Sequence, residues 1–205
     1  MADVKATRSE LLNLKRKIKL AHSGHKLLKK KRDGLIMEFF DILKNARDLR
    51  KELNQKYLEA HEKMLESIAL DGIVSVKSVA YALRERPAIE LEVKNIMGVK
   101  VPVIKSGAVK KNLMQRGYGL MSTTMRVDEM IKAYENLLEN VIVAAEVETT
   151  VRKLLKEIES TKRRVNALEF VVIPKLKGQA AFINMRLEEM ERENIFRMKK
   201  LKGEK

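Results

Sequence analysis

The sequence predicts a mainly α protein. Two long antiparallel helices, N- and C-terminal, form a left-handed coiled coil, and a small middle module holds a short helix and a β-hairpin. Three observations predict this. Apolar residues recur at steps of three and four along both ends of the chain. Only 9 Gly and 3 Pro are present, too few turn residues for an all-β barrel or sandwich. Aromatic residues are 4% of the chain against 35% charged, which suits an elongated shape better than a thick globular core. The pattern divides the 205 residues into 1–70, 71–123 and 124–205.

The first segment contains no proline. Thr7 with Glu10 has the spacing of a capping box and starts the helix. Its stripe reads Leu11, Leu14, Ile18, Ala21, Leu28, Leu35, Phe39, Ile42, Ala46 and Leu49, with His25 and Arg32 in the same register. Two steps of four follow, Leu53 and Tyr57, then Ala60, Met64 and Ile68. A mean spacing of about 3.5 residues is a coiled-coil seam, and the extra step of four is a stutter that locally relaxes the supercoil. Gly24 and Gly34 each weaken the helix by about 1 kcal/mol relative to Ala, which a seam this long absorbs.

The third segment carries the partner stripe: Met130, Tyr134, Leu137, Val141, Ala144, Val147, Val151, Leu154, Ile158, Thr161, Val165, Leu168 and Val172. It continues less regularly through Leu176, Ile183, Leu187 and Met190. Asp128 and Glu129 near its start, and Arg197, Lys199, Lys200 and Lys202 near its end, complement the helix dipole. Pro174 removes a backbone donor and opposes the carbonyl of Phe170, so a kink is expected near Pro174. A single helix of either length would expose a bare apolar stripe. Pairing the two within the chain covers both stripes and brings the chain ends to one tip.

The middle segment differs. Val74 to Leu83 permits strand or short helix, and the helix, ending before Pro87, is the preferred reading. Ile89, Leu91 and Val93 alternate with Glu90, Glu92 and Lys94, and Val99, Val101 and Val103 alternate with Lys100 and Pro102. With Met97-Gly98 between them these runs predict a β-hairpin over about 89–104. Pro102 cannot donate to a ladder, so this strand is an edge or offers its free side there. Lys105 to Ser122, with Gly107, Gly117 and Gly119, reads as a loop or short helix.

Charge and composition limit the function. Lys and Arg number 43 and Asp and Glu 28, a formal net charge of +15, which suits polyanions or an acidic protein surface. The chain has no Cys, which excludes a disulfide framework, a zinc ribbon, an iron–sulfur cluster and a cysteine nucleophile, and fits a reducing compartment. No run approaches the roughly 20 apolar residues of a membrane span, and Met1 to Leu20 lacks the apolar core of a secretion signal. A soluble protein is expected.

Candidate chemistry is thin. His22 and His25 sit about one turn apart, but no third His or Cys lies nearby, and a polar patch in the seam explains them better than a metal. The carboxylates Glu146, Glu148, Glu157, Glu159, Glu188, Glu189, Glu191 and Glu193 fit solvated faces and ion pairs. General acid–base work would need a pocket that a two-helix rod lacks. No phosphate-binding glycine motif occurs, and Gly117-Tyr118-Gly119 is too short to make one. No cofactor and no metal are expected. The basic runs Lys15-Arg16-Lys17, Lys29-Lys30-Lys31-Arg32 and Lys162-Arg163-Arg164 lack the aromatic stacking of nucleic-acid grooves and fit solvated faces or acidic protein contacts better.

Several segments resemble the D subunit of the archaeal and vacuolar-type rotary ATPases. The most specific are Ala145-Glu146-Val147-Glu148-Thr149, then Thr161-Lys162-Arg163-Arg164-Val165-Asn166-Ala167-Leu168-Glu169 and Val172-Ile173-Pro174. Asn95-Ile96-Met97-Gly98-Val99-Lys100-Val101-Pro102, Gly117-Tyr118-Gly119-Leu120 and Thr7-Arg8-Ser9-Glu10-Leu11 are similar to that family too. The matches cover nearly the whole chain in order, and the short length looks more archaeal than eukaryotic.

The resemblance implies a non-catalytic rotor shaft of an A/V-type ATP synthase. It would transmit torque between a membrane ion-translocating ring and a catalytic hexamer, coupling a proton or sodium gradient to ATP synthesis or hydrolysis. Implied partners are the catalytic and regulatory subunits of the head, the small F subunit of the central stalk, and the funnel-shaped subunit that links to the membrane ring. The implied location is the cytoplasmic face of the cell membrane, as a peripheral component. On this reading Arg8, Lys15, Arg16, Arg192 and Arg197 contact the hexamer through weak, easily re-formed pairs. Val99, Val101, Val103, Gly117, Gly119 and Met121 form a lower-stalk interface. Leu137 to Glu159 with part of Phe40 to Tyr57 is offered for the F subunit. The alternative class is a basic coiled-coil nucleic-acid-binding or scaffold protein. An enzyme is third, because no catalytic constellation is present.

Overall fold

The computed structural model describes residues 6–82, 87–107, 109–111, 116–119 and 123–203. Helix α1 is Arg8–Ala82, strand β1 Ile89–Ile96, strand β2 Val99–Ser106, helix α2 Met125–Ala167 and helix α3 Ile173–Gly203. A π-helical turn, Leu168–Val172, joins α2 to α3. The protein is mainly helical: two long helical stretches packed together, with a two-stranded antiparallel hairpin between them in sequence. Two compact units are formed, Met1–Gly34 with Ile158–Lys205, and Leu35–Glu157.

In the first unit Thr7 caps α1. Its Oγ1 accepts the Glu10 N–H at 3.2 Å and its carbonyl accepts the Leu11 N–H at 3.1 Å. The expected seam residues Leu11, Leu14, Ile18, Ala21, His25, Leu28 and Arg32 are all buried or half-buried. Opposite them Thr161, Val165, Ile173 and Ile183 are buried. Arg8 pairs with Glu191 and His25 with Glu169, so partners step back along one helix as they advance along the other. The packing is antiparallel. A buried Ile such as Ile183 contributes about 1.5–3 kcal/mol by leaving water.

The π-turn answers the presence of Pro174. A proline there has no N–H for the Phe170 carbonyl and would crowd it. The helix widens instead, and the Ile173 N–H bonds to the Leu168 carbonyl five residues back. One extra residue enters the turn. The seam therefore passes from Leu168 to Ile173, which is 6% exposed, and not to Val172, which is 37% exposed. From Ile158 to Leu168 the stripe expected from sequence is right, at Val172 it is one residue out of phase, and Pro174 is accommodated within a continuing helix.

In the second unit the seam includes Leu35, Ala60, Ser67 and Leu154, all fully buried. Tyr57, expected on the stripe, is half exposed and stacks on His61 with the rings 7° from parallel. The half-buried Lys56 takes its phase, so the steps run Leu53, Lys56, Ala60, Met64, Ser67. Ser67 fits there because its hydroxyl donates to the Lys63 carbonyl at 2.9 Å and lies 3.3 Å from the Arg126 carbonyl. Val141 is exposed where burial was expected, and the adjacent Ile142 is buried.

Gly72 breaks α1 with φ 76° and ψ 155°, a backbone conformation that side chains disfavour. Beyond it Val74 to Ala82 is helical, the preferred sequence reading; Leu83 lies outside the described residues. This last stretch of α1 places Val79 against Tyr118, Val127, Met130 and Ile131 in a compact apolar cluster.

The hairpin has the expected position and turn. β1 pairs antiparallel with β2, with Ile96 opposite Val99 and Ile89 opposite Ser106. Met97 (φ 48°) and Gly98 (φ 88°) both have positive φ, as a type I′ turn requires. Gly107 N–H extends the base of the hairpin by donating to the Ala88 carbonyl at 2.9 Å.

Candidate functional site

Three features carry candidate chemistry. The first is the set of exposed basic side chains in the first unit. Arg8 Nη2 lies 2.5 Å from Glu191, and both side chains are largely exposed. Arg192 reaches Glu188 at 4.0 Å and Arg197 reaches Glu193 at 3.6 Å, each one turn along the same helix. Lys15 and Arg16 are exposed on α1. Such surface pairs contribute about 0–1 kcal/mol each and exchange partners readily. His25 Nε2 sits 3.3 Å from Glu169, a single carboxylate contact in the seam. Among the described residues no group of three potential metal ligands is found.

The second feature is the hairpin. Facing residues of two paired strands share one face of the sheet, so the register settles which residues lie together. Val99, Val101 and Val103 share a face with Ile96, Lys94, Glu92 and Glu90. Ile89, Leu91 and Val93 share the other face with Ile104 and Pro102. The apolar residues of the two strands thus lie on opposite faces. Val99 and Val101 are buried and Val103 is half-buried, while Ile89, Leu91 and Val93 are exposed.

The outer edge of β2 is closed by α2. Ile104 N–H donates to Glu146 Oε2 at 2.9 Å, and Lys153 Nζ donates to the Lys100 carbonyl at 3.2 Å. Pro102 occupies the position between, where no donor is needed. Of the residues offered as a lower interface, Val99 and Val101 therefore hold the hairpin in place, Val103 is partly accessible, and Gly117 and Gly119 are exposed. Met121 lies outside the described residues.

The third feature is a buried ion network that the sequence reading passes over. Arg116, 3% exposed, donates from Nη2 to Glu135 Oε2 at 2.8 Å. Its Nη1 lies 3.4 Å from the Tyr118 hydroxyl and 3.9 Å from Asp128 Oδ1. Tyr118 in turn donates to Asp128. Burial alone would lower the Arg116 pKa, but its bonds to Tyr118 and Glu135 outweigh that and hold it above its ordinary value. Burial, aided by the bond to Asp128, pushes the Tyr118 pKa up. Arg116 Nε is buried with no hydrogen-bond partner among the described residues.

Gly117, φ 81°, links the two network residues, and a Cβ there would meet the Ala82 carbonyl at 3.2 Å. Beside the network lies an apolar groove of about 430 Å³, walled by Met64, Val76, Val79, Met130, Tyr134 and Leu138. The sequence holds a lone Arg beside two glycines and, on α2, Asp128 and Glu135 two turns apart, but nothing in it joins them. The network ties Arg116 and Tyr118, outside the helices, to Asp128 and Glu135 of α2 and so anchors this stretch of loop.

No helix among the described residues is long and apolar enough to cross a membrane. The family model for the ATP synthase D subunit matches residues 10–203. The A-type ATP synthase D subunit of Methanosarcina acetivorans is 58% identical over 201 residues, covering 98% of this chain and 96% of that protein. Its counterpart in Methanococcoides burtonii is 56% identical over 200 residues, covering 98% and 97%. That of Archaeoglobus fulgidus is 53% identical over 206 residues, covering 100% and 99%. A match along nearly the whole length, on a chain of paired helices with a hairpin between them, leaves one conclusion: the chain belongs to the ATP synthase D-subunit family, a non-catalytic component of the central stalk of A-type ATP synthases.

Proposed function

We propose that the chain transmits torque between a membrane ion-translocating ring and the catalytic hexamer, coupling a proton or sodium gradient to ATP synthesis or hydrolysis. The observation that carries this reading is the match over 98% of the chain to A-type ATP synthase subunits. The packing supports it. An antiparallel seam of buried side chains resists bending and twisting better than one helix can. The phase shift at Leu168–Val172 and the break at Gly72 make its faces unequal, which a shaft that distinguishes several catalytic sites needs.

On this reading the partners are the catalytic and regulatory head subunits, the small F subunit, and the funnel-shaped subunit over the membrane ring, at the cytoplasmic face of the cell membrane. Arg8, Lys15, Arg16, Arg192 and Arg197 meet acidic loops of the head. Val99, Val101, Val103, Gly117, Gly119 and Met121 serve the lower stalk. The F subunit is assigned to Leu137–Glu159 with part of Phe40–Tyr57. The sequence zones 1–70, 71–123 and 124–205 then correspond to shaft, lower module and shaft.

The test is co-purification of the tagged chain from its native membrane. Six larger nucleotide-binding subunits should accompany it; their absence refutes the proposal. In the reconstituted complex, reversing the charge of the five basic residues together should uncouple ATP hydrolysis from ion movement. Unchanged coupling removes them from the interface.

A further inference from the structure

The two edges of the hairpin are treated differently, and the difference points to a partner. In this antiparallel pair hydrogen-bonded and non-bonded residue pairs alternate. Ile96 and Val99 close the turn as a bonded pair, so Lys94–Val101, Glu92–Val103 and Glu90–Lys105 are bonded as well. Lys100, Pro102 and Ile104 then direct their backbone groups away from β1. These are the groups that Lys153, the proline ring and Glu146 dispose of. On β1 the corresponding outward residues are Leu91, Val93 and Asn95.

Nothing comparable closes this second edge among the described residues. Every residue from Ile89 to Asn95 is exposed, with Leu91 at 69% and Val93 at 70%. An open strand edge with apolar side chains is a template for another strand, and proteins ordinarily blunt it. One strand of this hairpin has its outward backbone groups closed by three devices; on the other none of those groups is closed among the described residues, and the charges of Glu90, Glu92 and Lys94 alone stand beside it.

We propose that the open edge of β1 receives an extended segment of a partner protein as a third strand. The backbone groups of Leu91, Val93 and Asn95 would supply the ladder, and Leu91 and Val93 the apolar contact on one face. Charge specifies the segment further. Glu90 and Lys94 stand four residues apart on the other face, with no ion-pair partner among the described residues. The incoming segment carries a basic and an acidic side chain at the matching positions, with apolar residues alternating between them. The proposal rests on the stalk reading only for where the partner is found, namely in the same ATP synthase complex.

Amide hydrogen exchange on the purified complex and on the isolated chain is the test. In the complex the amides of Leu91, Val93 and Asn95 should slow at least about tenfold, while those of Glu92, Lys94 and Ile96, already bonded to β2, should change little. Val93→Pro removes one outward donor without touching the β1–β2 ladder, just as Pro102 does opposite it. It should weaken retention of one partner protein at least about tenfold while the head subunits stay bound. The double change Glu90→Lys with Lys94→Glu keeps net charge and backbone, and should weaken the same partner. Unchanged thermal unfolding of each isolated variant certifies its fold.

Outward amides that exchange equally fast in complex and free chain overturn the proposal. So does a free chain that dimerises in solution with those amides protected, because the occupant is then a second copy. A wild-type chain that recovers no nucleotide-binding subunits refutes the stalk reading instead.

Discussion

Glu146 accepts the backbone N–H of Ile104 at 2.9 Å, and this bond fixes β2 to α2. A hairpin of two strands is marginal alone and needs such attachment. Val99 and Val101 of the same strand are buried, and Glu146 supplies direction, because its carboxylate accepts from an outward amide.

Glu146→Ala should cost about 1.5–3 kcal/mol, the range for a hydrogen bond to a charged group, and Glu146→Gln about half of that. Exchange of the Ile104 amide should accelerate in both variants. An Ile104 amide that stays protected in Glu146→Ala would show the strand held by packing alone.

Two glycines differ in what surrounds them. Gly72 and Gly117 both have positive φ, but a Cβ at Gly72 meets nothing within 4 Å, while one at Gly117 meets the Ala82 carbonyl at 3.2 Å. Gly72→Ala should cost about 1–3 kcal/mol through backbone strain alone, because φ 76° with ψ 155° is a region essentially confined to glycine. Gly117→Ala should cost more, because it also displaces the end of α1. Urea unfolding of the two variants checks the order, and equal losses contradict it.

Sequence periodicity made most of this fold legible. The helices, their pairing, the hairpin turn and the outward position of Pro102 all follow from steps of three and four, from alternation, and from one missing donor. What periodicity could not foresee is where phase changes. Tyr57 and Val172 both look like seam residues, because a count of apolar positions cannot see an extra residue absorbed by a π-turn or a half-buried lysine stem taking an apolar place. The buried Arg116 was invisible for a similar reason. Its partners Asp128 and Glu135 lie on another element, and only tertiary structure brings them together. On the partner surface, the alternation on both strands was legible, but which face each strand buries depended on register.

The π-turn predicts the outcome of a paired change. Pro174→Ala restores a donor, yet the turn should persist, because with every residue present Ile173 and Ile183 reach the seam only if the wide turn absorbs the extra one. Deleting Val171 together with Pro174→Ala removes that residue and should give an uninterrupted α-helix with both isoleucines still on the seam. Its melting temperature should exceed that of the Val171 deletion alone, which leaves proline in a regular α-helix at a cost of about 3 kcal/mol. Equal melting temperatures would mean that Pro174 does not require the wider turn.

Tyr118→Phe tests the buried network through pH. The variant loses the hydroxyl between Arg116 and Asp128 and should be about 1–2 kcal/mol less stable near neutrality. The Tyr118 pKa is raised, first by burial and then by the bond to Asp128. A group whose folded pKa stands above its unfolded value contributes stability that is complete below the unfolded pKa, about 10 for tyrosine. That contribution is lost as pH rises through the folded pKa. Wild type should therefore lose stability faster than Tyr118→Phe above about pH 10, and the gap between them should narrow. Tyr134, raised by burial and by the nearby Tyr57, remains in both proteins and gives the variant a residual slope. Denaturant midpoints from neutral to strongly alkaline pH measure the difference. A gap that stays constant across that range would show that Tyr118 ionises equally in the folded and unfolded chains, and the hydroxyl would then have no protected place beside Asp128.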